Sequence, residues 1–359
     1  MPLELTTEDH AQLDGKRGEA NQTAMSIIAQ LAEVQGARTL LDITQAHIDA
    51  TVYVGDAGLE FAELLARQGA RVAVPSTLNV GAIDEHHWRE WPVDPEWAAK
   101  AKRQMQAYES MGTTPTWTCA PYQTSHRPAF GEQIAWGESN AVSFANSVIG
   151  ARTELYPDMM DICCALTGRA PAAGLHLREN RGGQVLLRLA GVPQELQQDD
   201  AFFTVLGYVM GRATANRIPV LDGVIGNPDE DHLKALAATA ASSGAVAMFH
   251  IIGVTPEAPT FDAAFHGQDP EDIMDITMHE LRRARRELTT ADGTQLDMVV
   301  LGSPHLSIEE IKRLLSLVKG KHAHPEVQFL VTTSRAVAHV AERSGAMDHL
   351  RAFGAKVTV

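Results

Sequence analysis

LDMVVL at 296–301, GSPH at 302–305, IEEIKRLLSLVK at 308–319, VQFLV at 327–331, TTSR at 332–335, AVAHVAER at 336–343 and VTV at 357–359 decide the fold class. An apolar run of strand length is followed by a helix-length amphipathic run, the pair repeats, and a third strand begins. That alternation is the signature of a parallel sheet with crossover helices, here a Rossmann-like βαβαβ unit. In open parallel sheets ligands sit beyond the carboxyl ends of the strands. The first two strands end in polar loops, Gly302-Ser303-Pro304-His305 and Thr332-Thr333-Ser334-Arg335. The third strand reaches Val359, the last residue, so its loop is expected to be lacking.

The same alternation runs upstream. Helices are expected within residues 1–36, then a strand from Arg38 to Ile43 with Thr44, Gln45 and His47 in a loop. A helix from Leu59 to Arg67 stops at Gly69, and a buried strand from Val72 to Val74 leads into a polar turn, Pro75 to Asn79. After a helix to Met111 comes a proline-interrupted loop holding Cys119. Strands are read at Ala173–Leu177, Gln184–Leu189, Pro219–Gly223 and Val246–Ile252, with helices at Phe202–Arg212 and Leu233–Ala240. Met274–Leu288 reads as one basic helix whose arginines form a solvated face. Three approximate subdomains follow: 1–130 α/β, 131–290 α/β with the motif-rich core, and 291–359.

The densest chemistry lies between Gly131 and Arg181. Ser139 and Asn140 can cap a helix running to Ile149, with Gly150 as its left-handed stop. A second helix starts after Pro157, with Asp158 and Asp161 in its first turn, and ends at Gly168. Between them Arg152 sits in a loop, where its planar fork could grip a carboxylate. Glu138 is either a general base or a helix-start charge. His176 and His305 are acid, base or ligand candidates at strand ends, against the plainer reading of hydrogen-bonded rings. Cys119, Cys163 and Cys164 could offer thiolates to an iron–sulfur cluster, or be small buried apolar residues. Adjacent Cys163 and Cys164 point to different helix faces, so one of them at most would serve.

The 359 residues are enough for two or three domains. A net charge of −15 argues against nucleic acid and anionic membranes as partners. No apolar run reaches spanning length, the N-terminus is too polar for a signal peptide, and three cysteines make no disulfide framework, so a cytoplasmic location is expected. No phosphate-binding glycine loop follows a strand, which disfavours nucleotide-dependent oxidoreductases.

Together the motifs resemble the large, catalytic part of aconitase X, a branch of the aconitase superfamily. They are HID at 47–49, STLNV at 76–80, CAPY at 119–122, GESNAVSFANSVIGART at 137–153, YPD at 156–158, DIC at 161–163, TGRAP at 167–171, GLHL-x-ENR at 174–181, SSGAVAMFHIIGVTPEA at 242–258 and G-x-PHLS at 302–307. The resemblance covers nearly the whole chain. It implies an aconitase-like multi-layer α/β/α fold with parallel sheets and without the swivel domain, which would come from a small partner subunit. It implies an iron-dependent hydro-lyase acting on a small hydroxy acid, either cis-3-hydroxy-L-proline dehydratase or mevalonate 5-phosphate dehydratase. The cofactor would be a 2Fe-2S or 4Fe-4S cluster or mononuclear iron, with Cys119, Cys163 and Ser303 as metal residues. Arg152 would bind the substrate carboxylate, Ser76, Thr77, Asn79, Ser139 and Asn140 would orient the substrate, and Glu138, His176 and His305 would supply acid and base. Relatives are expected to carry Cys at the position of Ser303 and to continue past residue 359 with an Asp-Thr-Cys turn. Both departures motivate a competing reading, a binding or scaffold subunit without a cluster. The low-lysine, alanine-rich composition and the lack of a phosphate loop favour hydroxyproline over mevalonate phosphate.

Overall fold

In the computed structural model, which describes residues 2–49 and 52–359, three α/β layers follow one another along the chain. The first holds α1 (Thr7–Leu13), α2 (Glu19–Val34), β1 (Leu40–Asp42), β2 (Ala46–Ile48), α3 (Asp56–Arg67), β3 (Ser76–Leu78), α4 (Pro95–Ser110), β4 (Thr114–Pro115), β5 (Ala135–Trp136), α5 (Ser139–Phe144), α6 (Met160–Thr167) and β6 (Arg169–Pro171). Its four-stranded sheet, in the order β4-β3-β2-β5, is parallel throughout, and β1 pairs antiparallel with β6. The second layer holds β7 (Val185–Leu189), α7 (Asp200–Thr214), β8 (Pro219–Asp222), α8 (Glu230–Gly244), β9 (His250–Ile251), α9 (Phe261–Ala264), β10 (Asp272–Ile276) and α10 (Met278–Glu287), with a parallel sheet in the order β10-β7-β8-β9. The third is β11 (Met298–Leu306), α11 (Ile308–Val318), β12 (Gln328–Thr333), α12 (Arg335–Arg343), α13 (Ala346–Phe353) and β13 (Ala355–Thr358), a parallel β11-β12-β13 sheet. The expected α/β class with parallel sheets in several layers is the observed one.

Several local expectations fail for identifiable reasons. Val72–Val74 is not a strand: Val72 N–H donates to Met111 O and Ala73 N–H to Ala165 O, so those donors are not available to a ladder. The strand begins after Pro75, as β3, and His47 lies in β2 rather than in a loop. Ala173–Leu177 forms a tight 3₁₀ turn, because Gly174 takes φ +51° and the Glu154 carboxylate occupies the place of its missing Cβ. Met274 belongs to β10, and the arginine-rich helix starts only at Met278. The second helix of the motif-rich stretch starts at Met160, which leaves Asp158 outside it.

The helix expected from 139 to 149 is α5 followed by a π turn over Ala145–Ile149, ended by Gly150 at φ +75°. Its cap is Glu138, whose carboxylate accepts from Ala141 N–H at 2.7 Å, not Ser139 or Asn140. Phe144, Ala141 and Val142 bury in the core of the second layer beside Phe203, Leu236 and Phe249. β5 belongs to the first sheet, so Glu138 sits at the joint between two layers.

α7 and α8 pack backbone to backbone. A Cβ on Gly211 would lie 2.6 Å from Ala240 O, and Cβ atoms on Gly207 and Gly244 would collide with the partner helix's backbone. The Ser243 and Thr239 hydroxyls nearest Gly211 and Gly207 could turn aside, but the backbone carbonyls behind them could not. Gly211→Ala is therefore expected to destabilise the protein by about 1–3 kcal/mol or more, read as a lower urea midpoint; an unchanged midpoint would show that the helices can part freely.

Candidate active site

Four parallel strands of the first sheet end at one rim. Asp49 follows β2, Asn79 follows β3, Cys119 closes the loop after β4, and Glu138 follows β5. Register fixes these positions, since His47 pairs with Thr77 and Trp136, and Thr77 pairs with Thr114. Hydrogen bonds then tie the side chains together. His47 Nδ1 is 2.7 Å from Thr77 Oγ1, and its Nε2 is 3.5 Å from Asp49 Oδ2. Asn79 Nδ2 donates to Asp49 Oδ2 at 2.9 Å, while Asp49 N–H donates to Asp161 Oδ2 at 2.9 Å. Asn140 donates to the Glu138 carboxylate and to Cys119 O, and its own carbonyl accepts from Tyr122 OH. Tyr122 is held by stacking on Phe144, with ring centroids 3.8 Å apart.

The third layer meets this rim strand end to strand end. His305, near the end of β11, donates its N–H to Cys119 Sγ at 3.4 Å. Thr358 Oγ1, at the end of β13, donates to Asp84 in the loop after β3. Behind His305, the buried Lys234 of α8 pairs with Asp231 at 3.1 Å and with Glu310, and donates to His305 O. Asp231 also accepts from Ser307 Oγ at 2.7 Å. All three layers therefore converge near Cys119.

Burial dominates the electrostatics. Glu138 is pushed up to about 7 by desolvation and then by the Asp49 charge, against the opposing pull of the Ala141 N–H and Asn140 bonds. Asp49 is raised well above the usual carboxylate range by burial, with Asp161 adding repulsion. Desolvation holds His47 and His305 down at about 4, so both rings are neutral at neutral pH. Burial, then Glu138, raises the Cys119 thiol to about 12. The site thus pairs two hard-to-ionise carboxyls with neutral imidazoles, hydroxyls and amides, a set suited to moving protons.

Of the residues singled out in the sequence, Glu138, Ser139, Asn140, Thr77, Asn79, Cys119 and His305 come together here. Ser76 lies on β3 but bonds back to Val74 O. His176 and Arg152 do not join them. Gln133, which forms a bridge with Arg152, enters β5 from its amino end, five residues before Glu138 and about 16 Å away along an extended chain. The His176 ring is engaged on both sides, by Tyr156 OH and by Gln133 Oε1 at 2.7 Å, and burial followed by Arg181 and Arg152 lowers it to about 3. Cys163 is fully buried within α6, its thiol raised to about 12 by burial and Asp161. Ser303, beside a cis Ser303–Pro304 bond, is exposed. Cys119, Cys163 and Ser303 therefore do not present one donor set. Among the described residues no three His, Cys, Asp or Glu side chains form a group able to hold a metal ion. These residues alone do not fit an iron cluster.

Sequence reasoning missed Asp49, His47 and Asp161 as site residues. Their signal was present, since His-Ile-Asp follows an apolar run, but a three-residue strand is too short to declare which residue ends it.

Comparison with known proteins gives a consistent picture. Family models for the first, second and third domains of aconitase X match residues 2–179, 183–286 and 296–359. The chain is 48% identical over 354 residues to cis-3-hydroxy-L-proline dehydratase of Pseudomonas aeruginosa, covering 98% of this chain and 60% of that protein. It is 38% identical over 355 residues to the phosphomevalonate dehydratase large subunit of Methanothermobacter thermautotrophicus, covering 98% of this chain and 86% of that one. The crystal structure of Thermococcus kodakaraensis aconitase X, holo-form, superposes with a TM-score of 0.88 at 32% identity, covering 99% of this chain and 87% of that one.

Asp49→Asn removes a carboxyl whose ionisation competes with that of Glu138, while burial stays. The Glu138 titration, followed by carbon-13 NMR of glutamate-labelled protein, is expected to move down from about 7 while remaining above 4.5. No movement would mean the two carboxyls do not interact.

Proposed function

The chain belongs to the aconitase X family, and from that premise we propose that it is the large subunit of a hydro-lyase that dehydrates cis-3-hydroxy-L-proline. The observation that carries the reading is Glu138, a carboxyl with a pKa of about 7 at a rim shared by three layers. A base titrating near the working pH combines availability with driving force. Glu138 removes the proton α to the substrate carboxylate. Its Oε2 accepts from Ala141 N–H and Asn140, while Oε1 accepts only a long bond of 3.4 Å from Ser139 Oγ. Asp49, which burial likewise raises well above the usual carboxylate range, serves as the acid and passes its proton to the β-hydroxyl, which leaves as water. Asn79 and Thr77 hold Asp49 and His47 in place. The enamine product then tautomerises to Δ1-pyrroline-2-carboxylate.

Iron in cluster or mononuclear form is supported by family membership, and it would act as a Lewis acid on the leaving hydroxyl. The described residues do not assemble a site for it. The chain spans about 60% of the length of the Pseudomonas relative, and a small swivel-domain partner completes the cleft in this reading. Among the described residues no helix is long and apolar enough to cross a membrane, in keeping with work in the cytoplasm. A second reading, mevalonate 5-phosphate dehydratase, is favoured by the 86% coverage of the Methanothermobacter large subunit.

Proton NMR of the assembled protein with each substrate separates the two readings. Conversion of cis-3-hydroxy-L-proline is expected, with kcat/KM rising with pH through about 7 as Glu138 loses its proton. Glu138→Gln should lower kcat by about 10²–10⁴-fold. If the iron-loaded assembly consumes neither compound, the dehydratase reading is wrong.

A further inference from the structure

Among the described residues no lysine or arginine forms an ion pair with Glu138 or Asp49, and Arg152 lies at the other end of β5. Yet abstraction of a proton α to a carboxylate loads charge onto that carboxylate, which needs a fixed donor.

One arginine is placed to meet it. Arg335 opens α12 directly beyond the carboxyl end of β12, after Ser334, whose hydroxyl caps the helix through Val337 N–H. Two residues earlier, Thr333 is in register with Leu306 and donates to Leu306 O at 2.7 Å. Arg335 therefore stands beside the turn whose His305 N–H touches Cys119. Across the junction its guanidinium lies 5.7 Å from the ring of Trp117, two residues before Cys119. Trp117 takes φ +44°, an uncommon conformation for a bulky residue. Arg335 Nη2 pairs with Glu85 at 2.7 Å, which orients the fork; the side chain is 33% exposed, and its Nε, like that of Arg152, is buried without an acceptor. A buried guanidinium N–H without a partner is costly unless a ligand completes it. The nearby Lys102 is not an equivalent, since its ammonium donates to Glu85 O and lies over Trp88.

We infer that Arg335, steered by Glu85 and Trp117, is the substrate-binding residue that receives the carboxylate of the small hydroxy acid. This rests on the dehydratase reading for its substrate, but not for its binding chemistry.

Two measurements test it. Titration calorimetry of the full chain with pyrrole-2-carboxylate, a planar carboxylate probe, asks about binding alone. Arg335→Met is expected to weaken the probe by about 10–100-fold, the range for a charge-assisted hydrogen bond. The uncharged pyrrole-2-carboxamide should not distinguish wild type from Arg335→Met. In turnover by the assembled enzyme, Arg335→Met should raise KM by a similar factor and leave the pH midpoint near 7. The inference is overturned if folded Arg335→Met, checked by circular dichroism, binds the carboxylate as wild type does. It is also overturned if carboxylate and carboxamide weaken together, or if wild type binds neither probe. Arg335-dependent carboxylate binding without turnover would retain the inference and sink the dehydratase reading instead.

Discussion

The arrangement depends on keeping two carboxyls, Glu138 and Asp49, out of water at the junction of three α/β layers. Raising Glu138 from 4.5 to about 7 costs roughly 3 kcal/mol at neutral pH. Its bond to Ala141 N–H, a helix cap, is worth about 1 kcal/mol. Asn or Ser would cap α5 without the burial penalty, so helix capping does not account for a glutamate here. In the proposed reaction, proton transfer does.

What keeps the junction closed is a set of contacts from behind. Lys234, clamped by Asp231 and Glu310, reaches the carbonyl of His305, whose N–H points at Cys119. Asp231 touches the start of α11 through Ser307, and Arg127 in the Cys119 loop grips Glu230 with both arms of its fork. A buried ion pair is weak evidence for stability, but removing one partner leaves an uncompensated charge. The α8 N-terminus thus sets where the third layer's strand ends stand relative to the first's.

Much of this was legible in the chain. Alternating strand-length and helix-length runs gave α11 and α12 nearly to the residue, because those helices are strongly amphipathic. Residue chemistry and family resemblance together identified Glu138, Asn140 and Cys119. The first sheet was harder. Its strands have two or three residues, so Ser76–Leu78 looked like a polar turn and His47 like loop. Polar residues in short strands break the apolar pattern on which such readings depend. Arg152 and His176 were plausible by residue type. Only the pairing of Gln133 with Arg152 shows that they stand at the opposite end of β5.

The glycine contacts between α7 and α8 carry a mechanical consequence. With Gly207, Gly211 and Gly244 holding backbone against backbone, the pair has no ridge to climb and no slack for shear. It behaves as one stiff beam, with the Lys234 clamp near one end and α10 alongside. The third layer is hung from one end of that beam, where Asp229, Asp231 and Lys234 meet Ser307, Glu310 and Arg313.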